Sequence, residues 1–483
     1  MPRVKAPHKN LILAIVALAQ FMVVLDVSIV NIALPRIYRG LHFSSAANLQ
    51  WVITAYTLCF GGFLLLGGRA ADLYGRKKMF MIGVSVFSAA SLLCGLSQNT
   101  AWIEITRAVQ GLAAAFMSPA ALSILLTNFK EGKERNVALS IWGAIAAGGA
   151  AFGVLLGGFL TEYLSWRWNF FVNVPVGIIV IAATWYYIHE STADLDHKQL
   201  DLPGAVLATV GLILLVFGLT KAPTYGWSNA KTIELIGTSL VLLIAFIINE
   251  QHSKHPLVPL RIFRVKNIGA ANLTQLPITA SLYSMFFFIT LYVQTVLGYS
   301  PVRSGLGFLP ITFVVGIVAV FMSKVIAKVG YKVPLIIAPI LMGIGLFYLA
   351  HVKVGGSYFG DVFPGLIIMS VGLGAVFVAL TVAATTGVQH KESGLASGIL
   401  NTSQQVGGSL GLAILSGIAA SQTTKYISHH LTQPHVMLYG QVAGYHAAFY
   451  TGLGFAAVAF LCAVFLIHQP KGEKIEVNPS AGV

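Results

Sequence analysis

The chain has 483 residues, of which 56% are hydrophobic and only 10% are charged, and its mean hydropathy is +0.80. These values exclude a water-soluble globular protein and are typical of a chain that crosses a membrane many times. The formal net charge of +14 is distributed over short loops rather than along one stripe. It therefore indicates orientation in the bilayer and contact with anionic lipid, and it argues against nucleic-acid binding.

The predicted elements are transmembrane helices, because the chain has fourteen apolar runs long enough to cross a bilayer. These runs lie at about residues 11–34, 49–68, 79–97, 101–127, 136–160, 168–188, 203–220, 232–249, 267–296, 303–326, 333–351, 362–387, 394–418 and 446–468. An even number of spans places both termini on one side. Of the 30 Lys and Arg residues, 21 fall on that side, so the positive-inside rule predicts cytoplasmic termini.

A weak internal repeat relates the first six predicted spans to the last six. Residues 68–77 align with 323–332, and residues 111–116 align with 372–377. Duplication of this kind predicts an all-α fold of two six-helix halves with a site between them. The predicted divisions are a cytoplasmic amino terminus at 1–10, a first half at 11–188, a two-helix insertion with cytoplasmic loops at 189–266, a second half at 267–468 and a cytoplasmic tail at 469–483.

Asp26 is the most informative polar residue, because it lies deep within the first apolar run. A carboxylate at such a depth lacks water and is by default a functional candidate. Arg107, in the fourth span, lies at about the same depth, roughly 12 Å from the outer end at 1.5 Å rise per residue, so the two side chains are predicted to meet. Their pairing indicates a proton-coupling site, or alternatively a permanent ion pair that serves assembly alone.

Glu104 precedes Arg107 by three residues, so both charges fall on one helix face. The sequence leaves two readings of Glu104 open. It is either a third member of the proton-coupling set or a residue at the membrane boundary that reaches interfacial water.

Other polar and aromatic residues within the predicted spans are candidates for a substrate cavity. Individually such residues more often form hydrogen bonds between helices, but no lipid-facing surface tolerates the consecutive polar run 401–405. The predicted cavity residues are Asn31, Gln50, Tyr56, Gln110, Gln275, Tyr283, Gln294, Asn401 and Gln405. Close helix packing is predicted at Gly149, Gly153 and Gly157 of the fifth span.

Several kinds of chemistry have no counterpart in the sequence. The three cysteines all fall in predicted spans and form neither a disulfide framework nor a metal-ligand pattern. The sequence contains no phosphate-binding loop and no evident catalytic constellation, which disfavours an ATP-driven pump and an enzyme. We expect no metal and no cofactor, and we expect a proton gradient to supply the energy.

The ordered motifs resemble those of the fourteen-helix drug:proton antiporters of the major facilitator superfamily, the EmrB/QacA type. The matching segments are 21–35, 68–77, 107–111, 149–158, 166–177, 297–301 and 394–402. The resemblance implies a conformational latch at Asp72, Gly75 and Arg76 in the loop after the second span. One departure is Val154, because the family usually has a proline after the glycine at this place in the fifth span.

The function implied by the resemblance is proton-coupled export of amphipathic small molecules by alternating access. The expected partners are a small-molecule substrate, protons and the lipid bilayer of the cell membrane. A proton-coupled symporter and an exporter of one specific metabolite or siderophore are open alternatives, since both use the same parts. A non-transporting membrane receptor is the alternative from another class.

Overall fold

The computed structural model describes residues 9–130, 133–192, 200–388 and 392–469. Within these ranges the chain is helical and contains no strand. Thirteen of the described helices are long and apolar enough to cross a membrane, and a further long helix lies at the predicted fifth span. The predicted all-α polytopic fold is therefore confirmed. All but the first residue of the predicted cytoplasmic tail at 469–483, and most of the amino terminus at 1–10, lie outside the described ranges.

Fourteen long helices, numbered here in chain order, coincide with the fourteen predicted runs. They are α1 (Lys9–Gly40), α2 (Trp51–Tyr74), α3 (Arg76–Gly95), α4 (Thr100–Asn128), α5 (Lys133–Tyr163), α6 (Asn173–Tyr187), α7 (Leu202–Tyr225), α8 (Ala230–His252), α9 (Ile268–Leu291), α10 (Pro301–Val329), α11 (Lys332–Leu349), α12 (Phe363–Thr385), α13 (Ser393–His429) and α14 (Val436–Phe465). Several helices extend beyond the apolar runs, because helical hydrogen bonding continues into polar residues that hydropathy leaves out.

The two halves repeat one pattern of helix packing. In the first half, α1 packs along α5, α2 along α4, and α3 against both α4 and α6. In the second half, α9 packs along α13, α10 along α12, and α11 against both α12 and α14. Each helix of a second-half pair lies eight helices later in the chain than its counterpart in the first half. This correspondence agrees with the internal repeat seen in the sequence.

Glycines allow the close helix crossings of the first half. Gly149, Gly153 and Gly157 of α5 all face α1, and a Cβ added at Gly157 would lie 2.8 Å from a side-chain carbon of Ile29. Between α2 and α4, a Cβ added at Gly111 would overlap the carbonyl oxygen of Tyr56. Small residues at such crossings let helix backbones approach each other directly.

The halves meet at the end of the bundle where α1 terminates, called here the Gly40 end. The amide of Gln294, in a π-helical turn after α9, donates to the carbonyl of Ile32 at 2.9 Å. Where α5 contacts α10, a Cβ added at Gly305 would overlap the carbonyl oxygen of Val154. Nearby, Glu162 Oε2 accepts from the backbone N–H of Val302, the second residue of α10, at 2.8 Å. The halves are thus joined at this end, and they also meet along α2 and α13, where Thr402 Oγ1 donates to the carbonyl of Gly61 at 3.2 Å.

The two-helix insertion packs against both halves. Helices α7 and α8 form a pair, and α7 also contacts α2 and α13. Gln50 Nε2 donates to Thr220 Oγ1 at 3.0 Å, so the insertion is hydrogen-bonded to the start of the first half's α2. Helix α7 therefore covers the seam where α2 and α13 meet.

Candidate functional site

The Asp26 carboxylate is completely buried inside the first half. Its Oδ2 accepts from Arg107 Nη1 at 2.5 Å. Its Oδ1 accepts from Gln110 Nε2 at 2.8 Å and from Asn173 Nδ2 at 3.2 Å. Donors from α4 and α6 thus satisfy both oxygens, as a buried carboxylate requires.

Arg107 is held by several groups besides Asp26 and is only 1% exposed. Its Nε donates to the carbonyl of Val52 at 2.8 Å, and its Nη1 also donates to Gln110 Oε1 at 2.8 Å. The guanidinium carbon lies 4.3 Å from the ring centroid of Tyr56. This arrangement fixes the cation by cation–π contact and by hydrogen bonds to α2 and α4. Loss of the carboxylate charge would leave Arg107 buried without a counter-ion.

Two residues outside the predicted site complete the network around Asp26. Ser91 of α3 accepts from Asn173 at 3.0 Å and from Gln110 at 3.3 Å, and it donates to the carbonyl of Phe170 at 2.9 Å. Asn173 was identifiable as an amide within an apolar segment, directly before the Val-Pro pair. Ser91 carried no such signal, since serine is ordinary in packed membrane helices.

Glu104 does not join the Asp26 network. It is half-buried near the Gly40 end and lines a cavity with Lys221 of α7. Among the residues that the structure describes, no hydrogen bond connects Glu104 to Asp26 or Arg107. A spacing of three residues leaves two side chains roughly 60° apart around a helix, and this rotation turns Glu104 toward α7.

The predicted latch is an ion pair between the last turn of α2 and the first residue of α3. Arg76 donates to Asp72 Oδ1 from Nε at 3.1 Å and from Nη2 at 2.9 Å. Between them, Gly75 has φ 109°, a conformation that favours glycine. Glu190, just after α6, accepts from the backbone N–H groups of Lys77 and Lys78 at 3.0 Å each. The partners described for this turn therefore lie in α2, in α3 and in the segment just after α6.

The predicted cavity residues separate into hydrogen-bonded and unpaired groups. Tyr283 of α9 donates to Gln405 of α13 at 3.0 Å, whereas Asn401 is exposed. Three predicted residues form the contacts already given: Gln50 with α7, Gln110 with Asp26, and Gln294 with α1. Within the described ranges, three further residues are left with unpaired polar atoms in buried positions. They are Asn31 through Oδ1, Tyr56 through its hydroxyl and Gln275 through both amide atoms.

Two packed six-helix halves with a buried carboxylate–guanidinium pair define a polytopic membrane transporter. The chain matches the family model described as Major Facilitator Superfamily over residues 16–412, and it belongs to that superfamily. It is accordingly a multi-pass protein of the cell membrane.

The curated relatives include proteins named for antibiotic resistance or export. The chain is 35% identical to the puromycin resistance protein of Streptomyces alboniger, covering 98% of this chain and 93% of the relative. It is 39% identical to the cephamycin export protein of Amycolatopsis lactamdurans, covering 85% of each. It is 31% identical to the tetracenomycin C resistance and export protein of Streptomyces glaucescens, covering 96% of this chain and 92% of the relative.

Solved structures agree with the fold. A bacterial homolog of the human lysosomal transporter Spinster, in an inward-facing and unoccupied conformation, matches with a TM-score of 0.67 at 16% identity. The match covers 96% of this chain and all of that one. An auto-inhibited peptide transporter of the POT family matches with a TM-score of 0.64, also at 16% identity, over 94% of this chain and 95% of that one.

Proposed function

We propose that this protein is a proton-coupled exporter of amphipathic small molecules that works by alternating access. The observation that carries the proposal is the buried Asp26–Arg107 pair, where a proton on the carboxylate would change the charge balance inside the first half. The names of the puromycin, cephamycin and tetracenomycin C relatives support export as the direction and antibiotic-like compounds as the substrates. The proton gradient supplies the energy without a cofactor.

Protonation of Asp26 is the proposed switch between conformations. The neutral carboxyl no longer balances Arg107, whose remaining hydrogen bonds go to Val52 and Gln110. Because a buried and unpaired guanidinium is costly, the protonated form favours a conformation in which α1 and α4 have moved and Arg107 has new partners. The proton thereby biases a two-state equilibrium.

The proposed orientation places both termini in the cytoplasm and the Gly40 end outside. In that orientation the contacts between α5 and α10 seal the outer side, so substrate enters from the cytoplasm. The Asp72–Arg76 loop lies on the cytoplasmic side, where the proposed latch biases the opening of that side.

The proposed substrate cavity uses the buried polar atoms that lack partners. Tyr56 and Gln275 are both at most 1% exposed, and leaving such groups unsatisfied costs about 1–3 kcal/mol each. Together with Asn31, they supply a hydroxyl and two amides with which polar groups of an otherwise apolar molecule can pair. Tyr283, Gln405 and Asn401 are the proposed second-half contribution.

Transport by purified protein in proteoliposomes tests the direction and the coupling. With puromycin and ethidium as probes, vesicles with an acidic lumen are expected to accumulate probe, and a protonophore is expected to return accumulation to the level of empty vesicles. The proton leaves the lumen as the substrate enters it, which is antiport. Accumulation only when the external medium is acidic would instead show symport, and binding without accumulation would show a receptor.

The contact between α5 and α10 gives a test of the conformational change. Replacing Gly305 with Leu is expected to separate these helices, because even a Cβ would overlap the Val154 carbonyl. The distance between spin labels at Tyr163 and Leu306, measured by double electron–electron resonance spectroscopy, is then expected to increase by a few ångströms. Gly316→Leu in the same helix is the control, since a Cβ there meets open space. Identical distance distributions in the two variants would contradict a role for this contact in closure.

A further inference from the structure

We infer a second ligand site at the Gly40 end, between the insertion helix α7 and helices α2 and α4 of the first half. The site takes an amphipathic zwitterion, which is a molecule with an ammonium group, an anionic group and an apolar part. The cavity has a volume of about 400 Å³, within the range of small-molecule sites. It goes beyond the proposed export cycle, because none of the groups that bind Asp26 lines it.

An acidic and a basic side chain line the cavity without forming an ion pair in the described structure. Glu104 comes from α4 and Lys221 comes from α7. No ion pair joins them in the part of the chain that the structure describes, and Glu104 accepts no hydrogen bond there. Lys221 donates to Asn48 at 3.0 Å, which leaves two of the three ammonium hydrogens available. A ligand that carries both charges can bridge the gap between the two helices.

Trp51 supplies the apolar wall and an unused donor. This side chain lines the cavity and is only 9% exposed, and its indole Nε1–H has no acceptor among the described residues. Its ring lies 5.9 Å from that of Phe217, centroid to centroid. A turn of the indole would bring its buried N–H to an anionic group beside Lys221, while the two rings pack against the apolar part of the ligand. The buried, unpaired donor is the observation that distinguishes this cavity from an ordinary crevice.

A neighbouring cavity on the other side of α7 provides a matched control. It has a similar volume of about 440 Å³ and is lined by Lys231 and Glu234 as well as Phe217. Both of its charged side chains are exposed, and none of the residues that line it has a buried polar atom without a partner. Solvated charges bind ligands weakly because water already satisfies them. Substitutions of Lys231 and Glu234 remove charges of the same two types without altering the charged residues of the inferred site.

Equilibrium binding of three matched fluorescent probes to the purified full-length protein tests the inference. Nε-dansyl-L-lysine is the zwitterion, its methyl ester is a cation, and its Nα-acetyl derivative is an anion. Binding is followed by dansyl fluorescence in detergent, and it does not depend on transport. The zwitterion is expected to bind at least tenfold more tightly than the other two. Equal binding of all three would overturn the inference.

Variants locate the binding. Glu104→Gln and Lys221→Met are each expected to weaken zwitterion binding about tenfold, and Trp51→Phe, which keeps a ring but removes the donor, about threefold. Glu234→Gln and Lys231→Gln are expected to leave it unchanged. Unaltered binding in the first three variants, with thermal unfolding confirming that they are folded, would overturn the inference, as would equal weakening in all five.

The source of a natural zwitterion is distinguished by repeating the titration in nanodiscs. In discs of phosphatidylglycerol alone the probe is expected to bind as it does in detergent. Weaker binding when phosphatidylethanolamine is added would identify a lipid headgroup as the competing ligand. Unchanged binding would identify a soluble amphiphile instead.

Discussion

Replacing Asp26 with Asn is expected to reduce proton-driven efflux to the level of empty vesicles. The amide is nearly isosteric with the carboxylate but carries no charge and cannot take up the coupling proton. Arg107 is then permanently without a charged partner, a state that protonation of Asp26 creates only transiently in the native protein. Transport is measured as probe accumulation in proteoliposomes with an acidic lumen.

The same substitution is expected to lower stability, and a second variant separates the two effects. Removing one partner of a buried ion pair costs about 3–5 kcal/mol, because the other charge remains buried. The double variant Asp26→Asn with Arg107→Gln has no such charge. It is therefore expected to recover much of the lost thermal stability while transport stays absent.

Asp361→Asn is the control for charge loss elsewhere in the membrane domain. Asp361 lies in a π-helical turn before α12, and its closest cation is Lys353 at 3.8 Å, a side chain that is 71% exposed. Because a pair with a solvated lysine contributes little, and asparagine can still accept the backbone N–H of Ser357 that Asp361 accepts at 2.6 Å, this variant is expected to transport normally. Normal, gradient-dependent transport by Asp26→Asn would remove Asp26 from the mechanism and leave only the assembly reading of the pair.

Replacing Gly111 with Ala is expected to give a large loss of folded protein for the addition of a single methyl group. In an ordinary helix this change stabilises by roughly 0.5–1 kcal/mol, because alanine loses less backbone entropy than glycine. At Gly111 the added Cβ would overlap the backbone oxygen of Tyr56, which no side-chain rotation can relieve. Helices α2 and α4 must move apart, and overpacking of this kind costs typically 1–3 kcal/mol and occasionally more.

The measurement is the yield of monodisperse protein in detergent and its midpoint of thermal unfolding. Gly454→Ala, in α14, is the matched control, because a Cβ at that position meets open space. We expect the control to equal or exceed the native protein in stability and Gly111→Ala to fall well below it. The separation also moves Tyr56 and Val52 away from Arg107, so any folded Gly111→Ala protein is expected to transport poorly. Equal stability of both variants would contradict the tight crossing.

The fold was predictable because membrane burial is recorded locally in the chain. A run of about twenty apolar residues specifies a span wherever it lies, and each of the fourteen predicted runs overlaps one long helix. The alignment of residues 68–77 with 323–332 indicated duplication, and the paired helix contacts agree with it. The division at 11–188, 189–266 and 267–468 stays a prediction, as does the cytoplasmic placement of the termini.

The contact between Asp26 and Arg107 was also predictable, although the residues are 81 positions apart. Two charges at equal depth in apolar helices must find each other or remain unsatisfied. The other residues of the hydrogen-bond network around this pair were not predictable. Asn173, 147 positions from Asp26, joins the network only because α6 presents that face to α1 and α3.

The sequence by itself determined the membrane class, the fourteen spans, the repeat and the buried charges, since hydropathy and charge are properties of short segments. The tertiary structure decided which polar groups share a network and which remain unpaired. Glu104 shows the difference. Its spacing of three residues from Arg107 predicted one shared helix face, but in the structure Glu104 lines a separate cavity beside α7. Helix rotation and crossing depend on contacts between distant segments, and no local pattern specifies them.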